Sequence, residues 1–456
     1  MSLLFSRYLY FPLSDWIRRA PVERWLAEYR KSERLPEAAL RARTGENLAA
    51  ALAHARRHVP FYADRLGGSG EITAQRAFAV LQDLPLLSKA EIFAQRDRLR
   101  AQGRLGRVYR GHTSGSGGEA LEFFFTGDFL ARTEAAQWRG RGWWGLERGD
   151  PLVTLWGRSI ADPKTNRVTR RRERLRNWLR VSAFELSHRE LLEHERQIAA
   201  FDPVAIYGYS SAIYRLALFY SEHRLPPPPR LKAVVFTADA LLGFQRRLVE
   251  ETLRAPAVCE YGSSEAGAFA FSCREGGVHI ASENVHVEIL RGGQPVPDGE
   301  EGEVVVTTLH NRAMPLLRYS LGDWARRVPG RCACGRWMPR IELTNTKVVD
   351  LVRTSAGAVA SGQFFDYILI ELIDQGKRGI RQFLVVQKEL DRFEVQVVPG
   401  VGLDQGSLDL FERLMRERLG AQIQVTFEVV AEIPREPAGK IRCFRSELVE
   451  SALVAR

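Results

Sequence analysis

The chain has 456 residues, 45% of them hydrophobic and 27% charged, and a formal net charge of +11. That length allows two or three domains with sizeable cores, and the composition excludes a disordered or low-complexity protein. Five scattered cysteines, an odd number, exclude a disulfide framework and fit a reducing compartment, with the cytoplasm as the expected location.

The opening segment, "MSLLFSRYLYFPLSDWIRRAP", is apolar and aromatic but has no basic start and no small-residue cleavage site, and Arg7 interrupts it. No run in the chain approaches the roughly 18 to 20 apolar residues of a spanning helix. It reads as a helix docked on the body, with a membrane-surface segment, and so a peripheral membrane association, as the alternative. Residues 1–105 are expected to be mostly helical, from amphipathic runs such as "LPEAALRARTGENLAAALAHARRHVPFYADRL". Next comes "GHTSGSGGE" at residues 111–119, rich in glycine and hydroxyl side chains. Alone it reads equally as a solvated linker or as a loop whose amides and hydroxyls cradle phosphate, and no Gly-Lys-Ser/Thr closes it as a Walker loop.

Residues 106–346 alternate short apolar strands ("PLVTLW", "PVAIYGYS", "LKAVVFTA", "AVCEYGS") with helical runs, an α/β pattern of layered sheets and helices. Within it, "RVTRRRERLRNWLR" spans Arg167 to Arg180. Leu175, Trp178 and Leu179 recur at helical spacing, which predicts one amphipathic helix with a solvated basic face; an anionic substrate, coenzyme or membrane surface are the alternatives, and nucleic acid is not expected. An antiparallel element follows in "HVEILRGGQPVPDGEEGEVVVTTL". Residues 347–456 give strand, strand, helix and strand, a small α+β domain.

Three carboxyl or lysine positions and one cysteine group carry chemistry. Glu265 follows an apolar strand and a glycine, where strand ends of α/β sheets present ligands, and a carboxylate there can hold Mg²⁺ beside phosphate. Asp323, after Gly322, can accept hydrogen bonds from both hydroxyls of a ribose. Lys440 alone reads as a solvent lysine. Cys273, His279, Cys332 and Cys334 offer a Cys₃His set for structural Zn²⁺, with reduced, unmetallated thiols as the alternative.

Four segments in order resemble the motifs of the adenylate-forming (AMP-binding) enzymes: "HTSGSGGE", "EYGSSEAG" (Glu260 to Gly267), "LRYSLGD" (Leu317 to Asp323) and "PREPAGKI" (Pro434 to Ile441). "AHARRHVPFYADRL", "WWGLERGDPLVTLWGRS", "FDPVAIYGYSSAIYRLA" and "RCACGRWMPRIE" resemble the phenylacetate-CoA ligase and capsule-biosynthesis branch. The resemblance implies a large N-terminal domain and a small mobile C-terminal one. It implies a nucleotide site of Thr113, Ser114, Gly115, Ser116, Gly117, Gly118, Asp239, Tyr261, Gly262, Ser263, Ser264, Asp323 and Lys347. Lys440 and Glu265 become catalytic residues, the lysine meeting the carboxylate and α-phosphate after domain closure about Asp350. Tyr207, Tyr209, Ser210, Ser211, Phe236 and Tyr261 are implied to line the acid pocket, with plain core packing as the alternative for the aromatic ones.

The activity implied is ATP-dependent ligation of an organic acid, aryl or apolar, to a thiol, chiefly coenzyme A, through an acyl-adenylate. The partners implied are the small-molecule carboxylic acid, ATP and coenzyme A, and the branch suggests a homodimer. An amine, sugar or carrier-protein acceptor is the first alternative, and a non-catalytic nucleotide- or surface-binding protein the second. Several positions depart from the usual pattern: Gly117, Glu119 and Ala120 in the phosphate loop, Asp239 where glutamate is common, Ser320 for threonine and Lys347 for arginine.

Overall fold

The computed structural model describes residues 3–112, 121–157, 163–183, 186, 188–237, 243–345, 351–357, 359–362, 364–377, 379–400, 402–433 and 443–448. Residues 3–100 are mostly helical. Phe11–Arg18, Val22–Ser32, Glu37–His58 and Pro60–Leu66 are the longest helices there. Pro60 sits at the first turn of its helix, where its missing N–H costs nothing, and Ser88 caps Lys89–Ala94 by accepting from the Glu91 N–H at 3.1 Å.

Strands β1 (Val108–His112) and β2 (Glu122–Thr126) form an antiparallel hairpin, His112 opposite Glu122. Thr126 then caps the helix Gly127–Gly142, accepting from the Phe129 N–H.

The large sheet has two halves. Strands β3 (Leu152–Trp156), β4 (Trp178–Ser182), β5 (Ala205–Tyr209), β6 (Ala233–Thr237) and β7 (Ala257–Ser263) run parallel in the order β4-β3-β5-β6-β7. They read as continuous apolar runs because helices cover them. Val153, Leu155, Ile206 and Val234 pack with residues of the helices His188–Phe201 and Ser210–Glu222. β7 also pairs antiparallel with β8 (Gly267–Ser272), so this one strand joins the halves. Beyond it lie β9 (Val278–Ile280), β10 (Val285–Arg291), β11 (Gln294–Pro295), β12 (Glu301–Thr308), β13 (Tyr319–Val328) and β14 (Arg340–Asn345), in the order β8-β9-β14-β13-β12-β10-β11. The antiparallel half shares its core with the first-hundred helices through Leu48, Phe61, Tyr62, Val304 and Met314.

One expectation is corrected. The helix of the basic segment ends at Leu175, Asn177 takes a left-handed φ of 63°, and Trp178 and Leu179 begin β4. Apolar residues at helical spacing here belong to two elements, because a left-handed residue between them breaks the helix.

After a small pair, β15 (Leu351–Arg353) and β16 (Val359–Ser361), the last part forms a sheet ordered β19-β18-β17-β20. Its strands are β17 (Ile380–Glu389), β18 (Arg392–Pro399), β19 (Gln424–Val429) and β20 (Phe444–Ser446), covered by Phe364–Asp374 and Gln405–Leu419. Asp404 caps the latter helix, accepting from the Ser407 N–H at 2.8 Å.

Candidate functional site

The parallel half has its switch of strand order at β3, with β4 on one side and β5 on the other, and ligands of open α/β sheets bind outside the carboxyl ends of strands at such a point. Trp156 ends β3 there. Its ring stacks on Tyr207 (5.5 Å between centroids, 8° between planes) and on Tyr209 (4.4 Å, 30°), and Arg141 lies over the Tyr207 ring at 4.6 Å. Ser210 and Ser211 begin the helix that leaves β5. Phe236 is buried in the core under the parallel strands. Trp156 is absent from the residues implied by the resemblance; its place at the end of an apolar strand, in "PLVTLW", is the signal that marks it.

The β7–β8 hairpin carries the first carboxylate. It is very tight: a Cβ on Gly262 would come 2.2 Å from the Gly267 carbonyl oxygen, and Gly267 itself has φ +77°. Ser263 closes the turn by accepting from the Ala266 N–H at 3.1 Å, and Ser264 and Glu265 lie between them. Tyr319, the first residue of β13, donates to Glu265 Oε1 at 2.7 Å, and the second carboxylate oxygen has no hydrogen-bond partner among the described residues.

The second carboxylate comes from β13. Between the pairs Val305↔Ser320 and Glu303↔Trp324 the register shifts, and Gly322 in that bulge has φ +70°. The bulge re-aims Asp323, which accepts from the Tyr261 hydroxyl at 2.9 Å. Burial, then the neighbouring carboxylates, push both phenols well above their ordinary pKa, so each stays a hydrogen-bond donor to its carboxylate. The adjacent Glu260 is engaged elsewhere, by Arg141 at 3.0 Å and by Gln137.

β13 is anchored just before the bulge. Arg318 adopts φ +52° and donates to the carbonyls of Gln82 and Leu84 at 2.8 and 2.6 Å, with Glu288 3.3 Å away. Its own carbonyl accepts from the Leu87 N–H, and the Ser320 N–H donates to the Leu87 carbonyl.

Tyr261, Glu265 and Asp323 are thus brought into one constellation, with Tyr319 as a member the resemblance does not name. Thr113, Ser114, Gly115, Ser116, Gly117, Gly118, Asp239, Lys347, Asp350 and Lys440 lie outside the described residues.

The cysteine group is assembled. The ligand atoms of Cys273, His279, Cys332 and Cys334 lie within 4.8 Å of one another. Cys273 Sγ and Cys332 Sγ are 3.7 Å apart, and Cys334 Sγ and His279 Nε2 3.4 Å. A zinc tetrahedron with bonds of about 2.3 Å to sulfur and about 2.0 Å to nitrogen has edges of about 3.8 and about 3.5 Å, so the set fits that ion. His279 Nδ1 donates to the Met338 carbonyl at 3.2 Å, which leaves the Nε2 lone pair facing the thiols. Gly335, at φ +86°, closes the Cys332–Gly335 turn.

Comparison with known proteins agrees with this architecture. Residues 354–447 match the family described as the CapK C-terminal domain. The chain is 23% identical over 368 residues to Protein CapK of Staphylococcus aureus, covering 80% of each. It is 25% identical over 448 residues to the phenylacetate-coenzyme A ligase of Thermus thermophilus, covering 90% of this chain and 97% of the relative. A crystal structure of 2-hydroxyisobutyryl-CoA ligase, in complex with 2-HIB-AMP and CoA in the thioesterification state, shares the fold with a TM-score of 0.60 at 18% identity, covering 92% of each chain. Over most of its length the chain is thus similar to CapK and phenylacetate-CoA ligase, and it has the fold of the adenylate-forming CoA ligases.

Proposed function

We propose that the chain is an ATP-dependent ligase that activates an organic acid as its acyl-adenylate and passes the acyl group to the thiol of coenzyme A. The observation that carries this reading is the pair of carboxylates, Glu265 in the β7–β8 turn and Asp323 at the β13 bulge, each held by one tyrosine hydroxyl, in a chain similar over most of its length to CapK and phenylacetate-CoA ligase. Relatives named as CoA ligases, and a neighbour holding an acyl-adenylate and CoA, support it.

In the first step a substrate carboxylate oxygen attacks the α-phosphorus of ATP, the bond to the bridging oxygen breaks and pyrophosphate leaves. In the second, the thiol attacks the acyl carbonyl, loses its proton, and AMP leaves. Magnesium, when bound, offsets phosphate charge. Glu265 would be its ligand, since one carboxylate oxygen is fixed by Tyr319 and the other has no described partner. Asp323 would accept from the ribose hydroxyls. Residues 113–118 would cradle phosphate, and Lys440, carried by a lid formed from residues 347–456 and hinged at Asp350, would meet the developing charge. The part-exposed, stacked rings of Trp156 and Tyr207, backed by the buried Tyr209, would make one wall suited to an aryl or apolar acid.

The test is carboxylate-dependent ATP/pyrophosphate exchange over a panel of aryl and aliphatic acids, followed by trapping with coenzyme A. Exchange with an apolar acid, discharged by coenzyme A, is expected. ATP binding without exchange for any acid would instead make this a non-catalytic nucleotide-binding protein. Exchange with no discharge by coenzyme A would move the acceptor to an amine, sugar or carrier thiol. Lys440→Ala is expected to slow exchange by about two orders of magnitude or more while leaving ATP affinity near normal.

A further inference from the structure

The first helical segment is docked the wrong way round for an ordinary surface helix. Such a helix buries its apolar stripe and shows its polar face. Over residues 3–18 the polar groups point inward. Arg7 pairs with Glu147 at 2.5 Å and with Asp150, Asp15 accepts from Arg148 at 2.7 Å, and Arg18 reaches Asp15 and Glu134. Phe11 is the one apolar side chain of this segment that is fully buried, beneath the Arg148 guanidinium at 4.3 Å. What remains exposed is apolar: Trp16 at 78%, Leu4 at 66%, Tyr8 at 65%, Leu9 at 61%, Ile17 at 58% and Leu13 at 56%. Between residues 3 and 17 the charged side chains are Arg7, half-buried, and Asp15, buried. With Leu3 they make seven of the twelve large exposed apolar side chains in the described part of the protein, gathered on one segment.

A strongly basic element adjoins it. The Asn177 side chain donates to the Gly149 carbonyl, and Gly149 packs on the Arg7 backbone. Asn177 lies just past the helix Pro163–Leu175, which exposes Arg167, Arg170, Arg171, Arg172 and Arg174. None of these five has a carboxylate partner within ion-pair distance among the described residues. Glu173, between them, is buried and bound to Arg180.

We propose that these two helices form a docking surface for an anionic lipid bilayer, with residues 3–17 lying in the headgroup plane and the arginines of 167–174 on lipid phosphates and carboxylates. An apolar face carrying Trp, Tyr and Leu is what an interfacial helix inserts, and adjacent basic side chains add attraction to negative lipid. Internal salt bridges hold the helix with this face outward, so it is displayed without a partner chain. A second copy of the chain is a poorer occupant, because an isologous contact would bring the two arginine helices toward each other. No described helix is long and apolar enough to span the bilayer, so the attachment is peripheral. Such a surface would keep the enzyme where an apolar acid partitions.

The test is sedimentation of the full chain with extruded vesicles of phosphatidylcholine, with and without roughly 30% phosphatidylserine, at low and high salt. Co-sedimentation is expected with the anionic vesicles at low salt and should fall as salt rises. The triple variant Leu9→Ser, Leu13→Ser and Trp16→Ser should weaken it about tenfold or more, and Arg170→Glu with Arg171→Glu should do so selectively for anionic vesicles. Both sets lie on the exposed surface, and an unchanged unfolding midpoint verifies that the variants fold. Absence of co-sedimentation overturns the proposal, as does equal binding by either variant. So does a dimer in light scattering that the triple substitution dissolves, since the face would then belong to a second copy.

Discussion

Two hydroxyls set the geometry of the proposed nucleotide site. Tyr261 and Tyr319 each spend their only donor on a carboxylate, at 2.9 and 2.7 Å. A hydrogen bond to a charged group contributes about 1.5–3 kcal/mol. Tyr319→Phe should therefore lower kcat about tenfold or more by loosening Glu265, whereas Tyr261→Phe should act through Asp323 and raise the KM for ATP by a similar factor. Initial rates against ATP concentration separate the two; equal effects on kcat and KM in both variants would mean a common structural loss. Glu265 and Asp323 are legible in the sequence, because each follows a glycine in a segment of recognisable pattern. Their pairing with tyrosines is not: the resemblance names Tyr261 but not Tyr319, and Tyr261 and Asp323 stand 62 positions apart, brought together only by the bulge at Gly322. Trp156 is marked in the sequence only by its place at a strand end; its stacking on Tyr207 and Tyr209 follows from β5 lying beside β3.

At the level of elements, alternation of apolar strands and helical runs is sufficient to place the α/β half and the final α+β sheet. The basic segment was legible only to Leu175, because a single left-handed Asn177 turns the chain from helix to strand while leaving the apolar spacing intact. The cysteine and histidine positions are legible as a ligand set, but not that they tie the end of β8 and β9 to the β13–β14 connection. A metal there would clamp the neighbourhood of both carboxylate-bearing strands. Elemental analysis of protein purified without added metal is expected to give one zinc per chain. Cys332→Ser or strong chelation should remove it and lower the unfolding midpoint; a substoichiometric trace would return the four side chains to plain thiols and imidazole.

Across the whole molecule, buried charge links the layers and makes stability depend on pH. Arg139 and Glu283 are fully buried 2.6 Å apart, and Ser32 also donates to Glu283. Burial would raise the Glu283 pKa, but Arg139 and Ser32 outweigh it and hold it below the ordinary carboxylate value. His310, its ring 2.8 Å from the Glu283 carbonyl, is kept neutral by burial and then by Arg132, with a pKa lowered to about 3. Below about pH 6.5 the unfolded chain takes up a proton at His310 that the folded chain refuses, so stability should fall by about 1.4 kcal/mol per pH unit from this residue alone. Glu283 adds to the loss below about pH 4.5, because its folded pKa is depressed. Burial lowers His286 to about 4 as well, so unfolding free energies from pH 7 to 4.5 should fall at least this steeply, and His310→Gln should flatten the slope by one proton; an unchanged slope would mean that His310 is not among the groups titrating. The same reach across layers gives the Arg318 anchor a dynamic meaning. Because Arg318 ties β13 to Gln82, Leu84 and Leu87, the amide hydrogens of Leu87 and Ser320 should exchange with solvent together, in one cooperative opening event. Asp323 then keeps its aim only as long as a segment more than two hundred residues upstream stays closed.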